Sequence, residues 1–172
     1  DISNINDFKK LNQAIKRADP EIVFHLAAQP LVLESYRDPI ETFRTNVLGT
    51  LNVLKSCENL ERPINFINIT SDKSYQNNED GKRFLEEDSL GGNDPYSASK
   101  SCADILTRSF ALSFPENNLK IASARAGNII GGGDWAKDRL ITDIILSLNA
   151  NNDIFLRNPK SIRPWQHVID VC

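Results

Sequence analysis

Ile64 to Lys73 reads INFINITSDK: a short apolar run ends abruptly in two hydroxyls, an acid and a base. β-Branched and aromatic residues suit a pleated strand. A run this short and largely apolar fits a strand. Working upstream, Glu21 to Ala27 (EIVFHLA), apolar on both faces, fits one buried inside a parallel sheet. Between the two runs, Asp38-Pro39 marks a helix start with proline at the first helical position. Val47, Leu48, Leu51 and Leu54 then supply the buried face of that helix. Further upstream, Phe8, Leu11, Ile15 and Ala18 recur at helical spacing until Asp19-Pro20 stops them. Downstream, Asp94-Pro95 opens a helix reaching about Phe114, and a third strand follows near Leu119 to Ala124. The glycine-rich segment Gly127 to Gly133, a helix around Arg139 to Leu148 and a strand-like piece at Ile154 to Arg157 complete the pattern. Strand–helix alternation of this kind predicts an α/β fold, a doubly wound parallel sheet with right-handed crossovers.

Bulk properties narrow the function classes. The 172 residues are 40% hydrophobic and 25% charged, with a formal net charge of −3, ordinary for a globular domain. With no basic run, a nucleic-acid partner is not expected. No apolar stretch reaches the roughly 20 residues of a membrane helix, and no membrane partner is expected. The chain opens on DISNINDF, polar and without Met, so no signal peptide is read and processing or truncation is kept in view. Cys57, Cys102 and Cys172 are odd in number and form no Cys-x-x-Cys pair, which argues against a disulfide framework or a metal site. Isolated thiols fit a reducing compartment, and the cytoplasm is expected. Cys57 and Cys102 are read as small buried groups on helices. His25 is read as a hydrogen-bonded core residue, and His167 has no partner at metal-ligand spacing.

In open α/β sheets ligands sit at the carboxyl ends of the strands. That rule directs attention to Ala27–Pro30, Thr70–Tyr75 and Arg125–Gly133. The long polar loop from Thr70 to Asn93 points the same way, since such loops inside compact domains tend to be functional. Tyr96-Ser97-Ala98-Ser99-Lys100 puts a phenol and an ammonium on one helix face, one turn apart. A phenol with a pKa near 10 is a poor base at neutral pH, and a neighbouring cation favours its ionised form. Alone the spacing is a common coincidence, and its surroundings give it weight. Thr70-Ser71-Asp72-Lys73 leaves one strand, His25-Leu26-Ala27-Ala28-Gln29 leaves another, and Asn46-Val47-Leu48-Gly49-Thr50 lies on the helix between.

The ordered set HLAAQ, NVLGT, TSDK and YSASK resembles the extended short-chain dehydrogenase/reductase family. The resemblance implies a Rossmann-type NAD domain, here incomplete, over residues 1–126. Residues 127–172 would begin a smaller sugar-nucleotide-binding region. It also implies that Asp1 and Ile2 meet the adenine end of NAD. Leu26, Ala27, Ala28, Gln29, Thr45, Tyr96, Lys100 and Ile129 would line the rest of the cofactor. Gln29, Ser71, Asn128, Arg139, Leu140 and Arg163 would contact substrate, the two arginines gripping its diphosphate with their guanidinium forks.

Within the family, Ser71-Asp72-Lys73 resembles the sugar-nucleotide 4,6-dehydratase group, and lysine at the third position resembles the members that act on CDP-glucose. The segments RAGNIIGGGDWAKDRLI and RNPKSIRPWQHV are similar to the same group. The resemblance implies that Tyr96 takes the C4-hydroxyl proton of the sugar, Ser71 binds the C4 oxygen and Lys100 holds the nicotinamide ribose. Asp72 would protonate the departing C6 hydroxyl. Lys73 would either take the C5 proton or orient a water that takes it. The implied product is a 4-dehydro-6-deoxy sugar for surface-polysaccharide synthesis, and the implied assembly is a homodimer. An epimerase, a dehydratase for another nucleotide and an inactive NAD-binding fragment stay open as alternatives. The family's Gly-x-x-Gly-x-x-Gly turn, which cradles a pyrophosphate, belongs about 50 residues before Asp1 in such an arrangement. The 172 residues are therefore expected to be a piece of the enzyme, inactive alone.

Overall fold

A computed structural model describes residues 4–78, 80–114, 118–136 and 138–172. The chain divides into two compact units, Asp1–Arg125 and Ala126–Cys172. In the first, the elements run α1 (Phe8–Ala18), β1 (Ile22–His25), α2 (Val32–Arg37), α3 (Pro39–Phe43), a π turn (Arg44–Leu48), α4 (Gly49–Glu58), β2 (Ile64–Ile69), a 3₁₀ turn (Asp72–Ser74), α5 (Pro95–Ser113) and β3 (Leu119–Ala124). The strands form one parallel sheet in the order β1-β2-β3.

Pairing fixes which side chains share a face. Val23 lies opposite Phe66 and Phe66 opposite Ile121, and alternate residues of each strand face the same way. On that face Ile64, Phe66 and Leu119 join Leu11, Val53, Leu54, Cys57 and Phe110 in one buried cluster. Helices α1, α4 and α5 therefore cover a single side of the sheet. No described residue of this unit covers the other side: Ile22 is 52% exposed and Phe24 60%. The expectation that EIVFHLA is buried on both faces is corrected accordingly.

Three further corrections have local causes. Val32–Arg37 is a helix that no periodicity announced, because one short turn-and-a-half carries too few residues to show a repeat. Leu48, read as part of a buried face, is 53% exposed. The π turn inserts an extra residue, and the buried set becomes Asn46, Gly49, Thr50, Val53, Leu54, Ser56 and Cys57. Cys102 is exposed, on the outer side of α5, whereas Cys57 is buried as read.

The second unit holds β4 (Asn128–Ile130), α6 (Leu140–Asn149), β5 (Trp165–His167) and α7 (Val168–Val171), with β4 and β5 paired in parallel. Gly127 allows the close approach of this pair: a Cβ there would stand 2.6 Å from the Pro164 carbonyl oxygen. Ile154–Arg157, expected as a strand, is irregular. Among the described residues it pairs with no strand, and Phe155 is 85% exposed. The pairing partner of β4 is instead the WQH segment.

Candidate active site

Helix α5 begins with a strong stop-and-start signal. Asp94 caps it by accepting the Ser97 N–H at 2.9 Å, and Pro95 occupies its first position. Tyr96 and Lys100 follow one turn apart, 9% and 7% exposed respectively. The Lys100 ammonium donates to the Ile69 carbonyl at 3.3 Å, at the carboxyl end of β2. Burial pushes its pKa down to about 8, since low-dielectric surroundings disfavour the charged form.

The residues leaving β2 make a compact second arm. Thr70 donates through Oγ1 to Asp104 Oδ2 at 3.1 Å. Ser71 Oγ accepts the Lys73 N–H at 3.2 Å and donates to Asp72 Oδ1 at 3.1 Å, capping the 3₁₀ turn. The Ser74 carbonyl closing that turn accepts from Ser101 Oγ at 2.8 Å and from the Gly91 N–H at 2.9 Å, which ties the turn to α5. Lys73 is thereby brought over the Tyr96 ring, its Nζ 5.8 Å from the ring centroid. Ser71, Asp72, Lys73, Tyr96 and Lys100 thus meet at one end of the first unit.

An ion pair behind this arm fixes the long loop. Arg125 Nε donates to Asp104 Oδ2 at 2.6 Å and Nη2 to Oδ1 at 3.2 Å. Its Nη1 reaches Tyr75 Oη at 3.0 Å and the Glu86 carbonyl at 2.9 Å. The guanidinium also stacks over the Tyr75 ring, which itself stacks on Phe84. The loop returns beside Tyr75 through an antiparallel bridge to Leu90. It then passes so close to α5 that a Cβ at Gly92 would lie 2.4 Å from the Ala98 nitrogen.

At the end of β1, Leu26, Ala27 and Ala28 follow His25, which lies opposite Asn68 of β2. Leu26 and Ala27 are exposed and Ala28 is half-buried. His25 is buried as expected, its Nε2 3.0 Å from Thr50 Oγ1. Burial and then the Lys100 charge lower its pKa to about 4. Gln29 is held by its own neighbourhood. Its amide donates to the Leu31 carbonyl and to Thr42 Oγ1 while accepting the Leu31 N–H at 2.6 Å. Thr45 donates to Glu41 Oε1 at 2.9 Å. Asp1 and Ile2 lie outside the described residues.

Sequence reading assigned nothing to Asn46 beyond its place in NVLGT. It is 2% exposed and central: Oδ1 accepts the Gln29 N–H at 2.7 Å, and Nδ2 donates to Ser99 Oγ at 2.8 Å. An amide within the helical stretch read as burying Val47, Leu48, Leu51 and Leu54 was the available signal, since such a group requires partners when buried. Asp104 and Arg125 were also missed; their pairing spans 21 residues and leaves no local pattern.

The second unit carries Asn128 and Ile129 on β4, with the Asn128 N–H bonded to the Pro164 carbonyl at 3.1 Å. Arg139 stands at the start of α6, its Nε 3.7 Å from Asp134, followed by Leu140. Arg163 is exposed and donates to the Ile162 carbonyl at 2.8 Å. Among the described residues no group of three His, Cys, Asp or Glu side chains could hold a metal ion. No described helix is long and apolar enough to cross a membrane.

A model of the family described as GDP-mannose 4,6 dehydratase matches residues 2–172. CDP-glucose 4,6-dehydratase of Salmonella typhimurium is 50% identical over 175 residues, an alignment covering 98% of this chain and 49% of that protein. A dTDP-glucose 4,6-dehydratase from Streptomyces venezuelae, solved with NAD bound, superposes with a TM-score of 0.88 at 23% identity, covering 99% of this chain and 51% of that one. The dTDP-glucose 4,6-dehydratase of Bacillus anthracis, in complex with NAD, gives 0.81 at 25% identity over 99% of this chain and 51% of that one. The fold is thus shared with these Rossmann-type enzymes, and the chain spans about half the length of the relatives it matches.

Proposed function

The chain belongs to the GDP-mannose 4,6-dehydratase family, and from that membership we propose that the protein containing it dehydrates CDP-glucose to a 4-dehydro-6-deoxy sugar, using NAD. The observation that carries the reading is the Ser71-Asp72-Lys73 turn held against Tyr96, with the Lys73 ammonium over the phenol ring. An acid and a base beside an oxidation site are what water loss requires and epimerisation does not.

The residues present fit NAD. Lys100 is buried, yet one carbonyl takes one of its three N–H donors, which leaves donors for ribose hydroxyls. The small residues Ala27 and Ala28 leave room at the adjoining strand end. Leu26, Ala27, Ala28, Gln29, Thr45, Tyr96, Lys100 and Ile129 would hold it, with Asp1 and Ile2 toward the adenine. NAD, when bound, would supply the acceptor for the C4 hydride and its donor at C6.

Within that frame Tyr96 Oη takes the C4-hydroxyl proton, and the Lys100 cation favours the phenolate. Ser71 Oγ hydrogen-bonds the C4 oxygen. The resulting 4-ketone acidifies the C5 proton, which Lys73 as the neutral amine, or a water it orients, removes. Asp72 delivers a proton to the C6 oxygen as it leaves. Asn128, Arg139 and Arg163 contact the nucleotide diphosphate, and Gln29 and Leu140 contact the substrate elsewhere, the second unit being the start of a sugar-nucleotide region. Exposed Ile40, Leu48, Ile105 and Leu112 on α3, the π turn and α5 support a second copy of the chain as partner. The three widely spaced thiols support a cytoplasmic setting.

The test is turnover of the complete protein with CDP-, dTDP-, UDP- and GDP-glucose, followed by mass spectrometry. Loss of one water from CDP-glucose in preference to the others is expected. A product of unchanged mass with inverted C4 would instead make the protein an epimerase.

A further inference from the structure

We propose that Ser35 is a positioning residue for Tyr96, holding the catalytic phenol by its backbone from a helix 61 residues earlier in the chain. The proposal rests on the reading of Tyr96 as the C4 base. Its basis is a gap in the capping of α5. A helix leaves its first backbone N–H groups without partners inside the helix. Here Pro95 has no N–H to satisfy, the Ser97 N–H goes to Asp94 Oδ1, and the Ala98 N–H goes to the Asp94 carbonyl. The Tyr96 N–H falls between these and is met by Ser35 Oγ at 3.0 Å.

The geometry makes Ser35 a fixed acceptor. Its side chain is fully buried, at 0% exposure. Its own hydrogen is committed to the Val32 carbonyl at 2.7 Å, which turns a lone pair toward Tyr96. The other end of the Tyr96 residue is held too, its carbonyl accepting from Ser99 Oγ at 2.7 Å, and Ser99 accepts in turn from Asn46. Two buried serines therefore grip the backbone on either side of the phenol, and one of them rides on α2, directly after the Gln29 loop. Misplacing a reacting group by about 1 Å can cost on the order of 100-fold in rate, so a grip on this one residue has catalytic consequence without touching substrate.

The experiment is steady-state kinetics of the complete, NAD-loaded protein carrying Ser35→Ala, Tyr96→Phe and the double variant, with Ser56→Ala as control. Ser56 is also 0% exposed, but its hydroxyl has no partner among the described residues. Ser35→Ala should lower kcat about tenfold with KM within about twofold, and Ser56→Ala should leave both unchanged. Because Ser35 acts through the phenol, it should have no further effect once Tyr96 is Phe. Wild-type kcat in Ser35→Ala beside a crippled Tyr96→Phe overturns the Ser35 proposal alone. The same tenfold loss in both backgrounds overturns it too, by placing the effect elsewhere. Full turnover by Tyr96→Phe removes the base reading and this proposal together. Should Ser35→Ala not fold, Ser35→Cys keeps the side-chain shape, slightly larger, with a weaker acceptor. A loss of about threefold in kcat is then expected, and its absence overturns the proposal.

Discussion

The Lys73 ammonium stands over the Tyr96 ring, 5.8 Å from its centroid, so the base proposed for C5 and the base proposed for C4 share one electrostatic neighbourhood. While protonated, Lys73 is attracted to the ring face and favours the ionised phenol; to take the C5 proton it must be the neutral amine.

Removing the phenol hydroxyl is the first check. Tyr96→Phe keeps the buried ring and should cut turnover of the complete protein by at least about 100-fold, the scale of a general base. The thermal midpoint should move little. Retention of more than about a tenth of the activity would assign the C4 proton to another group.

The Asp72 and Lys73 roles separate in stopped flow. Asp72→Asn should still pass hydride from C4 and accumulate reduced nicotinamide, because it lacks the proton for C6. Lys73→Ala should slow exchange of the C5 proton with solvent deuterium. If deuterium enters C5 at the unmutated rate, Lys73 is not the base. If both variants form 6-deoxy product at full speed, the dehydratase reading fails.

His25 predicts an acid limb of stability. Its folded pKa of about 4 lies below the ordinary 6.5, so between these values the unfolded chain binds more protons. Stability from this residue is complete above pH 6.5 and drains away as pH falls toward 4. His25→Gln, which can still meet Thr50, should flatten urea-denaturation stability over that window. An equally steep decline in the variant would mean that other groups carry it.

The Arg125–Asp104 pair predicts a structural effect at the loop. Arg125→Ala would leave Asp104, whose side chain is 3% exposed, as a buried charge without its cation, at a cost of about 3 kcal/mol. Hydrogen exchange should speed up at Gln76 and Gly91, whose N–H groups close the returning loop. Unchanged exchange there would show that the Tyr75–Phe84 stack suffices.

Much of this was readable beforehand, and the exceptions share a cause. INFINI is β2 to the residue, Leu119–Ala124 is β3, and α5 starts at Pro95 because Asp94-Pro95 is a local signal. Tyr96, Lys100 and Ser71 to Lys73 were legible because each sits at the end of an element that periodicity or capping defines. Ser35 was not, since nothing in VLESYR shows that its hydroxyl meets an N–H 61 residues away. Asn46 was visible as a polar intruder, but not its partners in two other segments. Ile154–Arg157 had a strand's composition and lacked only a neighbour, which composition cannot supply.

The π turn at Arg44–Leu48 has a consequence for any redesign of this helix. It joins two stretches that obey different registers: Asn46 faces Gln29 and Ser99, while Val53 and Leu54 face the sheet. Consecutive α-helical residues are about 100° apart. Deleting one residue to make the helix regular would therefore swing one set away from its partners by about that angle. The surplus residue is what lets a single rod answer to both the Gln29–Ser99 contacts and the core, and a tidier helix would lose one of them.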